Sequence, residues 1–276
     1  MPPAIKKNAA PKTGSPSVQN GFSLISNEKL IALYAHLLKS RMLEESARIL
    51  LQARNFNAVS HGALGHEASV VGVAIDLGPA DTIAPSHLDC TASFLHGASL
   101  PKILARLSTR AAKPHPARLK SALAAAEVNR KAKNSKIVVA FAAEDASTED
   151  AWHDAMHTAR TRRLPMIFVS HLHHPGKFES AAVHAEVEDV ALKTREFHFP
   201  VIPVDGNDVV AVYRVASESI THARQLHSAA LIECHLWDDD DPILNMEKYL
   251  KRKGLFTPRL KRNIAAGFAR DLDAAL

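Results

Sequence analysis

Four short apolar runs, separated by stretches of helical length, constrain this chain's fold more than any other feature. Residues 136–143 read KIVVAFAA and residues 164–170 read LPMIFVS; 200–204 and 229–234 supply two more. Between them lie residues 149–162, 186–195 and 208–224, whose composition and spacing predict helices. Short strands alternating with helices form a parallel sheet covered on both faces, and strands buried on both faces read as unbroken apolar runs. The predicted class is therefore α/β, with helices on both faces of a parallel sheet. The four strands are expected to share one sheet, because βαβ crossovers are right-handed.

The first half is less regular. Ser26 or Asn27 can cap a helix beginning at Glu28, where Leu30, Ile31, Tyr34, Leu37, Leu38 and Met42 follow helical spacing. A second helix is predicted from about His66 to Leu77, stopped by Gly78 and Pro79. Residues 108–120 are basic, contain proline and lack periodicity, which predicts a loop. Residues 1–25 read as a disordered tail and 26–276 as a single domain. The tail has no apolar signal segment, and its lack of arginine argues against a transit peptide.

Two cysteines, Cys90 and Cys234, suit a reducing compartment, and no apolar run reaches the ~20 residues of a membrane span. A cytoplasmic protein is the expectation. The net charge of +5 is uneven: residues 102–136 hold ten Lys or Arg against Glu127 alone, leaving −4 elsewhere. That block contains no aromatic side chain on which bases could stack, so a solvated basic face is favoured over nucleic-acid binding.

Open parallel sheets bind ligands beyond the carboxyl ends of their strands. One such end runs into Ala143, Glu144, Asp145 and Ala146, and the next into His171, His173 and His174. The two ends form either a polar pocket or a pair of solvated termini whose acids cap a helix. His153 and His157 stand four apart but lack the glutamate of a zinc protease motif, and are read as incidental. The turn at Gly206, with Asn207 or Asp208 as cap, reads as structural.

Several segments, in order, carry a resemblance. Residues 61–68 (HGALGHEA) are similar to H-L-Y-x-G-Q-E-A, 164–169 (LPMIFV) to L-P-V-I-F-V, and 204–209 (VDGNDV) to V-D-G-N-D-V. Residues 231–233 echo L-I-E, and Tyr249-Leu250 with Gly254-Leu255 resembles a closing Y-L-x-x-x-G-L. Together these resemble the alpha subunit of the thiamine diphosphate-dependent 2-oxo acid dehydrogenase first component, of pyruvate or branched-chain type. The resemblance implies a thiamine diphosphate-binding fold and a family reaction of oxidative decarboxylation with acyl transfer to lipoamide. It also implies a diphosphate held through magnesium and a beta-type partner completing the site. A hetero-tetramer, or otherwise a homodimer, is the implied assembly.

The same alignment places the family's functional positions. His61 matches an active-site histidine. Ala143, Glu144, Asp145 and Ala146 replace the family's G-D-G-A; His87 and Leu88 replace its phosphate-contacting Y-R; Leu172 and His173 replace its N-N. Glu144 and His173 thus fall where magnesium ligands belong. Imidazole is a poor magnesium donor, and Asp145 brings negative charge where phosphate approaches. The chain has 11 glycines, about 4% against a usual ~7%, in keeping with lost glycine loops. The expectation is an alpha-subunit homologue with impaired cofactor binding. The alternatives are a non-catalytic assembly or regulatory subunit, and a repurposed metal site on Glu144, His171, His173 and His174.

Overall fold

A computed structural model describes residues 25–53, 64–85, 90–107, 115–142, 149–174 and 200–275. His61, His87, Ala143, Glu144, Asp145 and Ala146 lie outside the described residues, as do the tail and the helix expected at 186–195. Among the described residues no helix is long and apolar enough to cross a membrane.

Among the described residues five strands form one sheet: β1 (Thr82–Ala84), β2 (Val138–Phe141), β3 (Met166–His174), β4 (Val201–Asp205) and β5 (Ala229–Trp237). Their order is β1-β2-β3-β5-β4, and every neighbouring pair is parallel. The four expected strands are all present in this sheet. β1, with three residues and no apolar run, went unread.

Side-chain alternation splits the core into two faces. On one, Val139, Phe141, Ile167, Val169, Ile232 and Cys234 pack against α2 (Glu67–Ala74) and the helix Val209–Leu226, whose Val212, Ala216 and Ile220 follow helical spacing. On the other, Val138, Ala140, Met166 and Phe168 meet α5 (His115–Lys131) and α6 (Glu149–Thr161), the latter through Trp152, Ala155, Met156 and Ala159. The Val209–Leu226 helix is α7. Outside the first face, α1 (Asn27–Ala53) packs with α8 (Pro242–Arg252), and Phe268 and Leu272 of α9 (Pro258–Asp273) meet Leu43 and Ala47 of α1. Two short helices, α3 (Cys90–Leu95) and α4 (Leu100–Arg106), flank the β1 end. Cys90 and Cys234 are both buried thiols.

Local expectations fare unevenly. Ser26 caps α1, its hydroxyl accepting from the Lys29 amide at 3.2 Å. Asp208 caps α7, accepting from Val210 and Ala211. The loop expected over 108–120 is corrected: from His115 onward the chain is helical. Pro116 fits a helix start, where its missing N–H costs nothing, and Leu119, Ala122 and Ala126 form the buried stripe. Gly206 needs no left-handed backbone; a Cβ there would meet Leu236 Cδ2 at 2.8 Å and Cys234 Cβ at 2.9 Å. Close approach, rather than turn geometry, selects that glycine.

Candidate functional site

β3 and β5 run on past their expected ends, to His174 and Trp237. This changes the meaning of the histidine cluster. As the last residues of a strand, His171 and His173 face one side of the sheet and His174 faces the other. His173 Nε2 lies 3.0 Å from His66 Nε2, and the ring of His171 lies against that of His66, tilted, at 4.4 Å. His174 instead places Nε2 2.8 Å from His235 Nδ1 and stacks on Trp237 at 4.3 Å. His174 therefore stands apart from His171 and His173, and Glu144, the fourth residue of that expected metal site, lies outside the described residues. Among the described residues no group of three metal-ligating side chains converges.

The cleft at the carboxyl end of β3 and β5 has a volume of about 280 Å³. It is bounded by Gly65 and His66 ahead of α2, by His173, and by Asp238, Asp239, Asp240 and Asp241 beyond β5. Arg41 of α1 is its one arginine or lysine among the described residues. That guanidinium already bonds Glu67 through Nε and through Nη2 (3.2 Å), and reaches Asp241 at 3.2 Å. Glu67 is fully buried and also accepts the Gly65 amide at 3.1 Å, so the start of α2 is tied to α1. Asn207, 2% exposed, donates to the Asp240 carbonyl at 2.7 Å and accepts the Trp237 amide at 2.8 Å. It fixes the acidic loop to the β4–α7 turn.

Proton positions follow from this network. Ser69 donates its hydroxyl hydrogen to the His66 carbonyl at 2.8 Å, so it accepts from His171 Nε2 at 2.7 Å. Burial first, and then the charge of His173, push the His171 imidazole down to about 3, leaving it neutral near pH 7. His66 and His173 face each other nitrogen to nitrogen, so one donates and the other accepts. The second nitrogen of His173 faces Asp238 at 3.7 Å. On the opposite face Glu233 Oε1 takes His235 Nε2 at 3.1 Å, making a carboxylate–imidazole–imidazole chain to His174.

Among the described residues, the one at an expected magnesium-ligand position, His173, does not fit that role. His173, at the ligand position, turns one nitrogen to His66 and the other to Asp238 and offers no oxygen. Four aspartates bound the cleft, and its one guanidinium is shared between two carboxylates. Of the residues expected to hold the cofactor or its metal, only Leu172 and His173, with His171 and His174 of the alternative metal site, are described; the partner of His173 is His66, 107 positions away. His66 stands where the resembled motif has glutamine, which was the available signal. Nothing in the sequence marked Arg41.

The family described as dehydrogenase E1 component matches residues 109–239. The alpha subunit of acetoin:2,6-dichlorophenolindophenol oxidoreductase from Bacillus subtilis is 26% identical, over 78% of this chain and 72% of that protein. The alpha subunit of 3-methyl-2-oxobutanoate dehydrogenase from Mycobacterium tuberculosis is 23% identical, over 92% of this chain and 79% of that one. Among solved structures, a transketolase from Pichia stipitis aligns with a TM-score of 0.49 at 13% identity, over 91% of this chain; the chain spans 44% of that transketolase. The chain is thus similar, at 23–26% identity over most of its length, to proteins named as alpha subunits of an acetoin oxidoreductase and of a 2-oxo acid dehydrogenase, and the dehydrogenase E1 component match spans just under half of it.

Proposed function

We propose that this chain is an alpha-type subunit whose own half of the cofactor site no longer holds metal and diphosphate, and which acts by assembling with a beta-type chain. One observation carries this reading: His173, at the metal-ligand position, is bound by His66 and Asp238 inside an acid-lined cleft. The replacements at Ala143, Glu144, Asp145, Ala146 and His87 point the same way. Low identity to subunits whose names denote working enzymes supports common descent and leaves room for lost chemistry. The competing reading, a working enzyme, gives His61 the acyl-transfer step and Glu144 the metal.

Thermal melting with thiamine diphosphate and magnesium separates the two. Ligand at a hundred times its dissociation constant stabilises a protein by about 2.7 kcal/mol. Each ~1 kcal/mol raises the melting temperature of a domain this size by roughly 2–4 °C. A working site gives a shift of several degrees; the expected shift here is below about one degree. A magnesium-dependent shift that Glu144→Ala removes would establish a remodelled, living site instead. Purification from the native source tests the partner. A beta-type chain should accompany this one in a hetero-tetramer, through an interface well above ~2,000 Å² if obligate, with a homodimer of this chain as the alternative assembly. Recovery as a lone monomer contradicts the assembly role.

A further inference from the structure

A second concentration of positive charge lies near the end of the chain. From Lys248 to Arg262 stand seven Lys or Arg and no acid. They fall on the last turns of α8, on the turn through Gly254 and on the start of α9. Gly254, at φ +70°, closes that turn: its amide donates to the Lys251 carbonyl at 3.0 Å, and the Leu255 amide donates to the Leu250 carbonyl at 2.9 Å. Three of the seven are engaged locally. Lys261 Nζ donates to Glu247 Oε1 at 2.8 Å, and Lys248 and Arg252 border a groove that Asp205, Asp208 and Asp240 also line. The other four are Lys251, Lys253, Arg259 and Arg262, and among the described residues none of them forms an ion pair. Lys251, Arg259 and Arg262 are exposed, and Lys253 is half-buried. The negative end of α8 accounts for Lys251. Nothing of the kind accounts for Arg259, which sits in the first turn of α9 where a cation is disfavoured and no acid offsets it. Breaks of a local rule such as this concentrate at functional surfaces.

We propose that this elbow between α8 and α9 docks an acidic segment of a partner polypeptide, with Arg259 and Arg262 on its carboxylates and Lys251 and Lys253 adding to the field. Guanidinium forks match carboxylate oxygens in pairs. Two other polyanions fit the elbow less well. Nucleic acid bound without sequence preference stacks its bases on open aromatic faces. Here Lys251 Nζ lies over the Phe256 ring, 4.9 Å from its centroid, and Tyr34 meets Phe256 edge-on at 5.8 Å. Tyr249 has the Arg252 guanidinium at 5.9 Å and Lys253 Nζ at 5.8 Å. A membrane surface calls for a helix face whose apolar side chains enter the lipid. Leu255, Phe256 and Leu260 instead pack against the cluster that joins α1 to α8. Charge is what the elbow leaves exposed, and protein carboxylates are its complement. The surface is separate from the acidic cleft at the ends of β3 and β5, and the proposal does not depend on how the cofactor site is read.

The test titrates the full chain into a short fluorescent polyglutamate peptide at low ionic strength, read by anisotropy. Wild type should bind at millimolar concentration or below, and affinity should fall steeply as salt is raised. Arg259→Glu combined with Arg262→Glu should weaken binding by roughly tenfold or more, because two attractions become repulsions. The same pair should leave the melting temperature unchanged or about a degree or more higher, since acids suit the start of α9. Weaker binding by a protein that is no less stable separates docking from folding. Lys131→Glu combined with Arg160→Glu, at exposed positions on α5 and α6, changes the net charge equally and should leave affinity unchanged. The proposal fails if the peptide does not bind, if the α9 pair leaves affinity intact, or if the α5 and α6 pair weakens it equally. It fails also if single-stranded oligouridylate or phosphatidylserine vesicles bind more tightly through the same two arginines, since the surface then serves nucleic acid or membrane.

Discussion

Arg41→Met is expected to destabilise this protein by about 3–5 kcal/mol, the usual consequence of leaving a buried charge without its partner. Glu67 has no exposed surface, and both its oxygens are bonded to Arg41, with the Gly65 amide as the third donor. Methionine approximates the length of the lost side chain, so the change tests charge more than packing. The outer pair with Asp241 contributes less, because that carboxylate is 34% exposed and water can replace the guanidinium. The melting temperature should fall by roughly 6–20 °C on the scale for a domain this size. Adding Glu67→Gln removes the orphaned charge and should recover a large part of the loss. Chemical denaturation of wild type, both single variants and the double variant measures this coupling. A loss below about 1 kcal/mol for Arg41→Met would mean that water reaches Glu67, contrary to its burial.

The same triad shows why part of the site was invisible in the sequence. Strands announced themselves because burial on both faces demands unbroken apolar runs, as at 138–141 and 166–169. Their ends did not: a polar residue such as His173 or His235 can extend a strand when its partner strand continues beside it. Once β3 continued, alternation sent His171 and His173 away from His174, and a grouping by sequence proximity failed. Arg41 lies 26 residues from Glu67 and 200 from Asp241, and such pairings are set by how α1 packs over α2 and α8. The α5 helix was missed because its stripe, Leu119, Ala122 and Ala126, is mostly alanine and its start is rich in proline and charge. The turn at 204–208 was legible because its role is local: Asp208 caps the helix it begins.

Alanine at two helical glycines should act in opposite directions. Within a helix, glycine to alanine gains up to ~1 kcal/mol, because alanine loses less backbone freedom on folding. At Gly267 of α9 an added Cβ has nothing within 4 Å, so Gly267→Ala should realise most of that gain. At Gly72 of α2 the same atom would lie 2.7 Å from Val212 Cγ1, 2.8 Å from Val212 Cβ and 3.0 Å from the Tyr213 amide nitrogen. Those neighbours include a branch point and backbone of α7, which cannot swing aside as the tip of a long side chain would. The two helices must separate, and overpacking of this kind costs about 1–3 kcal/mol. A net loss of about 2 kcal/mol is expected for Gly72→Ala, lowering the melting temperature by roughly 4–8 °C. Val212→Ala in the same chain removes the closest atom, Cγ1, so the double variant should lose less than the two single changes together. If Gly72→Ala instead stabilised the protein as Gly267→Ala does, α2 and α7 could not be in the contact that seats His66 and Ser69 beneath the end of β3.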